Sequence, residues 1–347
     1  MGGSIEEVAA LAGVSTATVS RALRGLPYVA ESTRRRVREA AAQLEYVASP
    51  QASRLASGHT RTIGVIADLT GWVFLQVLRG AEAVLREAGL DLLLYNPGDD
   101  SGPFDALPLR KRVDAVLVPC PPLTLMEMRS LQALNIPGVL VGASVPGFPS
   151  VRVDDVGGAR TAVQHLINLG HRRIGLISGE AAGDGSDNRE TALSTASADR
   201  RRGYREALAA AGIECDPGLE AVGGFTWRGG ERAMAELFSV ESPPTAVFVA
   251  DDEMAMGALR ALRRARLRVP EDMSVIGFGG HDKAEVFELT TVVQPLARQG
   301  KIAAELLLSL LDAVPDASQN LDASEVVVLP VSIEIRDTTC RPASGTT

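Results

Sequence analysis

Ser4-Ile5-Glu6-Glu7-Val8-Ala9-Ala10-Leu11-Ala12-Gly13-Val14-Ser15-Thr16-Ala17-Thr18-Val19-Ser20-Arg21-Ala22-Leu23-Arg24-Gly25 is the stretch on which the reading of this chain turns. It predicts two short helices joined by a tight turn. Ser4 stands three residues before Glu7, the spacing at which a hydroxyl and a carboxylate satisfy each other's backbone amides at a helix start. Val8, Leu11 and Ala12 then recur at helical spacing. Gly13 takes a left-handed turn at little steric cost, and Ser15 restarts the chain as an N-cap. In the second helix Val19, Ala22 and Leu23 face inward, while Thr16, Ala17, Ser20, Arg21 and Arg24 lie on other faces. Gly25 closes it. Short polar side chains near a helix N-terminus, followed by arginines, suit entry into the major groove of DNA. Taken alone, the pattern also fits an ordinary helical hairpin at the edge of a domain.

A third helix is predicted from Glu31 to Leu44, with Val37, Ala40, Ala41 and Leu44 at i, i+3, i+4 and i+7. Arg34, Arg35, Arg36 and Arg38 fall on its outer side, a solvated face that can also meet phosphates. Ser49 and Pro50 then give an N-cap and first-turn start for a short helix, Gln51 to Ser57, which Gly58 ends.

Charge separates this beginning from the rest. The 347 residues carry a net charge of −8, yet residues 1–60 hold seven arginines against five glutamates. A small basic head on an acidic body is expected when only one end meets phosphate. No apolar run reaches the ~18 residues that span a bilayer, and no secretory signal is visible. Cys120, Cys215 and Cys340 are far apart and in no metal spacing, as suits plain thiols in a reducing cytoplasm.

From Thr62 onward, short apolar strands alternate with amphipathic helices. Strands are expected at Thr62–Ala67, Leu90–Tyr95, Ala115–Pro119, Gly138–Val141, Arg173–Ser178, Ala246–Ala250 and Ser274–Phe278. Helices are expected at 74–88, 123–134, 158–169, 199–211, 228–238, 252–265 and 297–311. This order means parallel sheets covered on both faces, and so many units favour two doubly wound lobes over one. Three prolines limit any helix within Asn96–Val113. The Gly/Ser/Ala/Asp-rich run 179–198 reads as a surface loop or a mobile lid. His165 and His171 flank a helix stop at Gly170 and read as structural, and no nucleophile elbow, phosphate loop or metal cluster is present. No enzyme activity, cofactor or metal is expected.

Residues 4–58 resemble the DNA-binding headpiece of the lactose/galactose repressor family of bacterial transcription regulators. The resemblance rests on Val8-Ala9-x-Leu11-Ala12-Gly13-Val14-Ser15-x-x-Thr18-Val19-Ser20-Arg21-Ala22-Leu23, on Thr33-Arg34, on Leu44-x-Tyr46 and on Ala52-x-x-Leu55. The body resembles the periplasmic sugar-binding fold that the same family carries. There it rests on Asp68-Leu69-Thr70, His165-Leu166-Ile167-x-Leu169-Gly170-His171, Arg200-x-x-Gly203-Tyr204, Ala250-x-Asp252-x-Met254-Ala255-x-Gly257 and Gln294-Pro295. The chain departs at Ala30, where the family caps its third helix with Ser, and at Ala48-Ser49, where the family has Pro-Asn.

The resemblance implies an all-α helix-turn-helix headpiece (1–48), a hinge helix and linker (49–61) and an α/β two-lobed body (62–340) with a tail (341–347). Lobe one is expected at about 62–160 plus 291–321, and lobe two at about 161–290 plus 322–340. It further implies a homodimer on a palindromic operator in double-stranded DNA. The residues meeting DNA would be Ser4, Ser15, Thr16, Ala17, Thr18, Ser20, Arg21, Arg24, Thr33 and Tyr46, with Ala52 and Leu55 from the hinge helix. Leu55 would wedge between base pairs in the minor groove.

The effector, a saccharide or sugar derivative, would lie between the lobes against Thr70, Phe74, Arg200, Phe225, Asp251 and Gln294, with Trp72 nearby. Asp251 replaces the family's Asn, and Gly277-Phe278-Gly279-Gly280 stands where the family has Gly-Phe-Asp-Asp. The missing carboxylate predicts added room there. It predicts a larger saccharide or a ligand with an anionic or phosphorylated group facing Arg200, or else an ordinary sugar whose acceptor is Asp251. A solute-binding protein or sugar-modifying enzyme would explain the body but leave the first 58 residues without purpose.

Overall fold

Ser4 and Glu7 close the expected capping box. The Ser4 amide donates to Glu7 Oε2 at 2.7 Å and the Glu7 amide donates to Ser4 Oγ at 3.2 Å, opening α1 (Ile5–Ala12). The computed structural model describes residues 3–23, 27–46, 59–67, 71–97, 107–120, 125–179, 195–312 and 325–343. Gly13 ends α1 at φ +65°. The Thr18 amide then donates to Ser15 Oγ at 3.2 Å as α2 (Thr16–Leu23) begins. With α3 (Glu31–Gln43), these helices bury Val8, Ala9, Ala12, Val19, Ala22, Val37, Ala40 and Ala41 in one small core. Two details differ from the sequence reading. Leu11 is 49% exposed, because Ala9 rather than Leu11 completes the inward face. Arg34 is mostly covered and lies beside Glu31, so it is not part of the solvated arginine face. The expected hinge helix, with Ala52 and Leu55, lies outside the described residues.

Residues 1–61 form one compact unit and 62–347 another. The second contains two six-stranded sheets. The first sheet joins β1 (Thr62–Ile66), β2 (Asp91–Tyr95), β3 (Ala115–Pro119), β4 (Gly138–Val141), β5 (Ser150–Val153) and β11 (Val326–Leu329), all parallel, in the order β11-β5-β4-β3-β1-β2. Its helices are α4 (Trp72–Glu87), α5 (Leu125–Ala133) and α10 (Leu296–Asp312). The second joins β6 (Ile174–Ser178), β7 (Glu220–Val222), β8 (Ala246–Val249), β9 (Ser274–Gly279), β10 (Thr290–Val293) and β12 (Ser332–Glu334) in the order β12-β10-β9-β8-β6-β7. Only its edge strand β12 is antiparallel. Its helices are α6 (Asp155–Leu169), α7 (Thr195–Ala210), α8 (Trp227–Phe238) and α9 (Asp252–Arg264).

The chain changes sheets three times, and each change is shifted from the expected place. Strand β5 ends at Val153 and α6 already packs on the second sheet, so the first crossing is at 154, not near 160. Strand β10 pairs with β9, so the return falls at 294–295 rather than 291. Strand β11 pairs with β5, so the last crossing lies at 330–331 rather than 321. Strands β5 and β10 are four residues long and carry Ser, Arg or Thr among their valines, so no long apolar run announces them, while β11 is a four-residue edge strand that stays largely exposed.

In the first lobe, α4 and α10 touch backbone to backbone. A Cβ on Gly300 would fall 1.9 Å from the Val77 carbonyl oxygen, so only glycine permits this approach. The contact sets the cleft-side ends of both helices in one wall.

Candidate functional site

On the headpiece, α2 is anchored by the buried Val19 and Ala22, which leaves Thr16, Ala17 and Arg21 exposed. Thr18 and Ser20 are half-buried, and the Thr18 hydroxyl is 3.0 Å from Ser15 Oγ. Ser4 acts as the cap of α1, and Tyr46 packs on the headpiece core. Thr33 is half-buried on α3. Arg24 lies outside the described residues.

The two lobes enclose a cavity of about 1670 Å³ that continues along the flank of α9. Of the expected ligand residues, Phe74, Arg200, Phe225, Asp251 and Gln294 all line it, as does Trp72. Thr70 lies outside the described residues. Phe74 is largely packed into the first-lobe core and shows the cavity only an edge. Phe225 is held at φ +54°, a left-handed conformation unusual for a bulky residue. Its ring lies where any side chain on Gly179 would be, 2.0 Å from an added Cβ.

Arg200 is committed to the protein. Its Nε donates to Asp155 Oδ1 at 2.8 Å and its Nη1 donates to the Ala250 carbonyl at 2.7 Å, while the guanidinium lies 3.8 Å over the Phe278 ring. Burial raises the Asp155 pKa, and Arg200 pulls it down. The cation expected to face an anionic ligand is therefore largely neutralised by a buried carboxylate.

Asp252, beside it, is spent on structure as well. Its carboxylate accepts from the Thr291 hydroxyl at 2.6 Å and from the His281 amide at 2.8 Å. This corrects the expectation of added room at Gly279-Gly280. A Cβ on Gly279 would lie 3.0 Å from Asp252 Oδ2, and one on Gly280 would lie 2.7 Å from Val293. The space is occupied by the turned-in Asp252 and by β10.

Asp251 is different. Oδ1 caps α9, accepting from the Glu253 and Met254 amides at 2.8 and 3.3 Å. Oδ2 makes no hydrogen bond within the described protein. Burial, then the neighbouring Asp252, push its pKa up to about 7. Cys120 also opens onto the cleft. Crowding by protein pushes its thiol up to about 11, which makes it a poor nucleophile.

Among the described residues, Trp72 makes two contacts that tie the lobes together across the cleft. The Trp72 ring, at the start of α4, stacks on His281 of the second lobe with centroids 4.3 Å apart and planes inclined by 22°. The Trp72 backbone amide donates to the Glu253 carboxylate. His281 and Gln299, also on the cavity wall, were not found from sequence. His281 sits just past Gly279-Gly280, and Gln299 is an isolated polar residue on an apolar helix face; either is a usable signal of position in the sequence. The other sequence-flagged histidines are structural. His171 lies 2.9 Å from Thr245 Oγ1 and 2.8 Å from the Cys340 carbonyl, while His165 meets Thr339. Among the described residues no His/Cys/Asp/Glu group is arranged to hold a metal ion, and no helix is long and apolar enough to cross a membrane.

Residues 4–49 match the family described as bacterial regulatory proteins, lacI family, and residues 163–339 match a periplasmic binding protein-like domain. The HTH-type transcriptional repressor CytR of Escherichia coli (strain K12) is 34% identical, over 93% of this chain and 95% of its own length. This chain belongs to the LacI family. Among solved structures, the lac repressor dimer bound to operator and the anti-inducer ONPF superposes with a TM-score of 0.81 at 26% identity, covering 98% of this chain and all of that one. The regulator CelR in complex with cellobiose does so with a TM-score of 0.67 at 30% identity, covering 97% and 99%. As a LacI-family member the chain is a DNA-binding transcriptional repressor, not an enzyme or an exported solute-binding protein.

Proposed function

We propose that this LacI-family repressor binds a two-fold operator as a homodimer through α2, and that a neutral saccharide or sugar derivative in the cleft sets its affinity for DNA. The observation that carries the ligand class is the state of the charged residues. Arg200 is neutralised by Asp155, whereas Asp251 presents a free carboxylate oxygen beside aromatic rings at Phe225 and Trp72. Such a wall accepts from hydroxyls and stacks on a ring face, and the charge of Arg200, the cation beside these groups, is already compensated. The cellobiose bound to CelR supports the same class. The dimer and the cytoplasmic site of action follow from the task of reading a palindrome. An effector acts by binding one arrangement of the lobes better than the other.

Calorimetry with cellobiose, monosaccharides and sugar phosphates tests the ligand class. A neutral sugar should bind and the phosphates should not; binding of phosphates alone would reverse the assignment. On the DNA side, Arg21→Ala should weaken specific binding by about 1–3 kcal/mol, as for loss of a guanine contact. Equal loss on specific and nonspecific DNA would make Arg21 a phosphate contact instead.

A further inference from the structure

Two donors on the first-lobe wall have no acceptor. Gln299, on the first turn of α10, is 2% exposed, yet its Nε2 makes no hydrogen bond. The indole Nε1 of Trp72 is likewise shielded and unpaired. Both residues line the cleft. Burying an amide nitrogen without an acceptor costs stability, so natural folds rarely keep one unless something else completes it. The neighbours show that this is not loose packing. Gly300 next to Gln299 permits backbone contact with α4, and Trp72 is fixed by its stack on His281 and by the hydrogen bond its backbone amide donates to the Glu253 carboxylate. Both donors are held by rigid elements and point at no protein group. Across the cleft the complementary atom is Asp251 Oδ2, an acceptor with no donor.

We propose that Trp72 and Gln299 are the ligand-reading residues of the first lobe, donating to acceptor oxygens of an uncharged, oxygen-rich effector whose hydroxyl donates to Asp251. The proposal rests on the cleft being the effector site. It adds that the effector's affinity comes from both walls, so binding completes hydrogen bonds that the free protein lacks. A ligand satisfying only one lobe would leave the other lobe's orphan groups buried and would bind far more weakly.

The test uses the full chain with Gln299→Met and Trp72→Phe. The first removes the orphan amide at similar volume; the second keeps an aromatic ring on His281 but deletes Nε1. Thermal unfolding without ligand is read first. Gln299→Met should raise the midpoint by about 2 °C, because an unsatisfied polar group is replaced by an apolar one. An unchanged or lower midpoint means that Gln299 already has a structural partner, and overturns the proposal. Calorimetry with cellobiose is read second. If cellobiose binds the unaltered chain, each variant should bind it about five- to tenfold more weakly. Unchanged affinity in both variants overturns the proposal. If cellobiose does not bind the unaltered chain, the ligand reading under the proposed function loses that sugar, and the ligand-free midpoint alone decides whether the donors are orphaned.

Discussion

The two lobes share one architecture but prepare their cleft walls in opposite ways. In the second lobe the buried charged groups are satisfied within the protein: Arg200 by Asp155, and Asp252 by the Thr291 hydroxyl and the His281 amide. In the first lobe the polar groups at the wall, Trp72 Nε1 and Gln299 Nε2, have no partner. A buried charge must be paired for the fold to survive, since an isolated one costs several kcal/mol. A neutral amide or indole costs less when left unpaired, and so can be reserved for a ligand. The second lobe is thus a preorganised frame with one spare acceptor, Asp251, and the first lobe supplies donors that a ligand completes.

The largest expected effect tests the frame. Arg200→Ala strands Asp155 in the interior and should cost about 3–5 kcal/mol of stability in urea unfolding. The paired variant Arg200→Met with Asp155→Leu should cost much less, because it removes both charges together. A single variant no worse than the double would mean that the pair is not a frame at all.

Next is the spare acceptor. Asp251 ionises near pH 7, well above an ordinary aspartate, because burial and Asp252 disfavour its charge. The raised value means that the native state holds this proton more tightly than the unfolded chain does. Its contribution to stability is present at low pH and is lost as pH rises through about 7. For the ligand the sign is opposite, since a hydroxyl donates best to the ionised form. Effector affinity should therefore rise by at most about tenfold from pH 6 to pH 8. Glu253, His281 and Asp252 also face this region, so Asp251→Asn is the control: it keeps the α9 cap and should flatten the profile. A profile that persists in Asp251→Asn belongs to one of those neighbours.

The smallest effect concerns the tie between lobes. A double-mutant cycle on Trp72→Ala and His281→Ala should give a coupling of about 0.5–1.5 kcal/mol in thermal unfolding of the ligand-free chain. Strict additivity would mean that the stack holds nothing together.

Sequence carried the headpiece almost completely, because α1 and α2 are written in local chemistry: the Ser4–Glu7 box, the Gly13 turn and the Val19/Ala22 stripe act within a few residues. It also carried β1, β3, β4, β8 and β9, whose apolar runs are buried on both faces. It did not carry β7, β11 and β12, which lie at or beside sheet edges and expose much of their length, nor β5 and β10, which are short and interrupted by polar residues. The cleft was legible as a set of residues but not as chemistry. That Arg200 is neutralised, and that Gly279-Gly280 shelter Asp252 rather than open space, depends on partners 45 and 27 positions away, such as Asp155 for Arg200 and Asp252 for Gly279. Spacing along the chain does not encode such pairings. Gln299 is marked in the sequence only as a lone polar residue on an apolar helix face; that its amide lacks a partner is not written there.

The most direct test of the account is a footprint on genomic binding sites with the full chain and with a chain starting at Thr62, the first residue of the second compact unit. The account predicts that the full chain protects a two-fold symmetric site of about 14–20 base pairs, as two recognition helices one turn of DNA apart require. The shortened chain should fold, still bind effector and protect nothing. Protection of a single unsymmetrical half-site by a monomer, or the same footprint from the shortened chain, would contradict it.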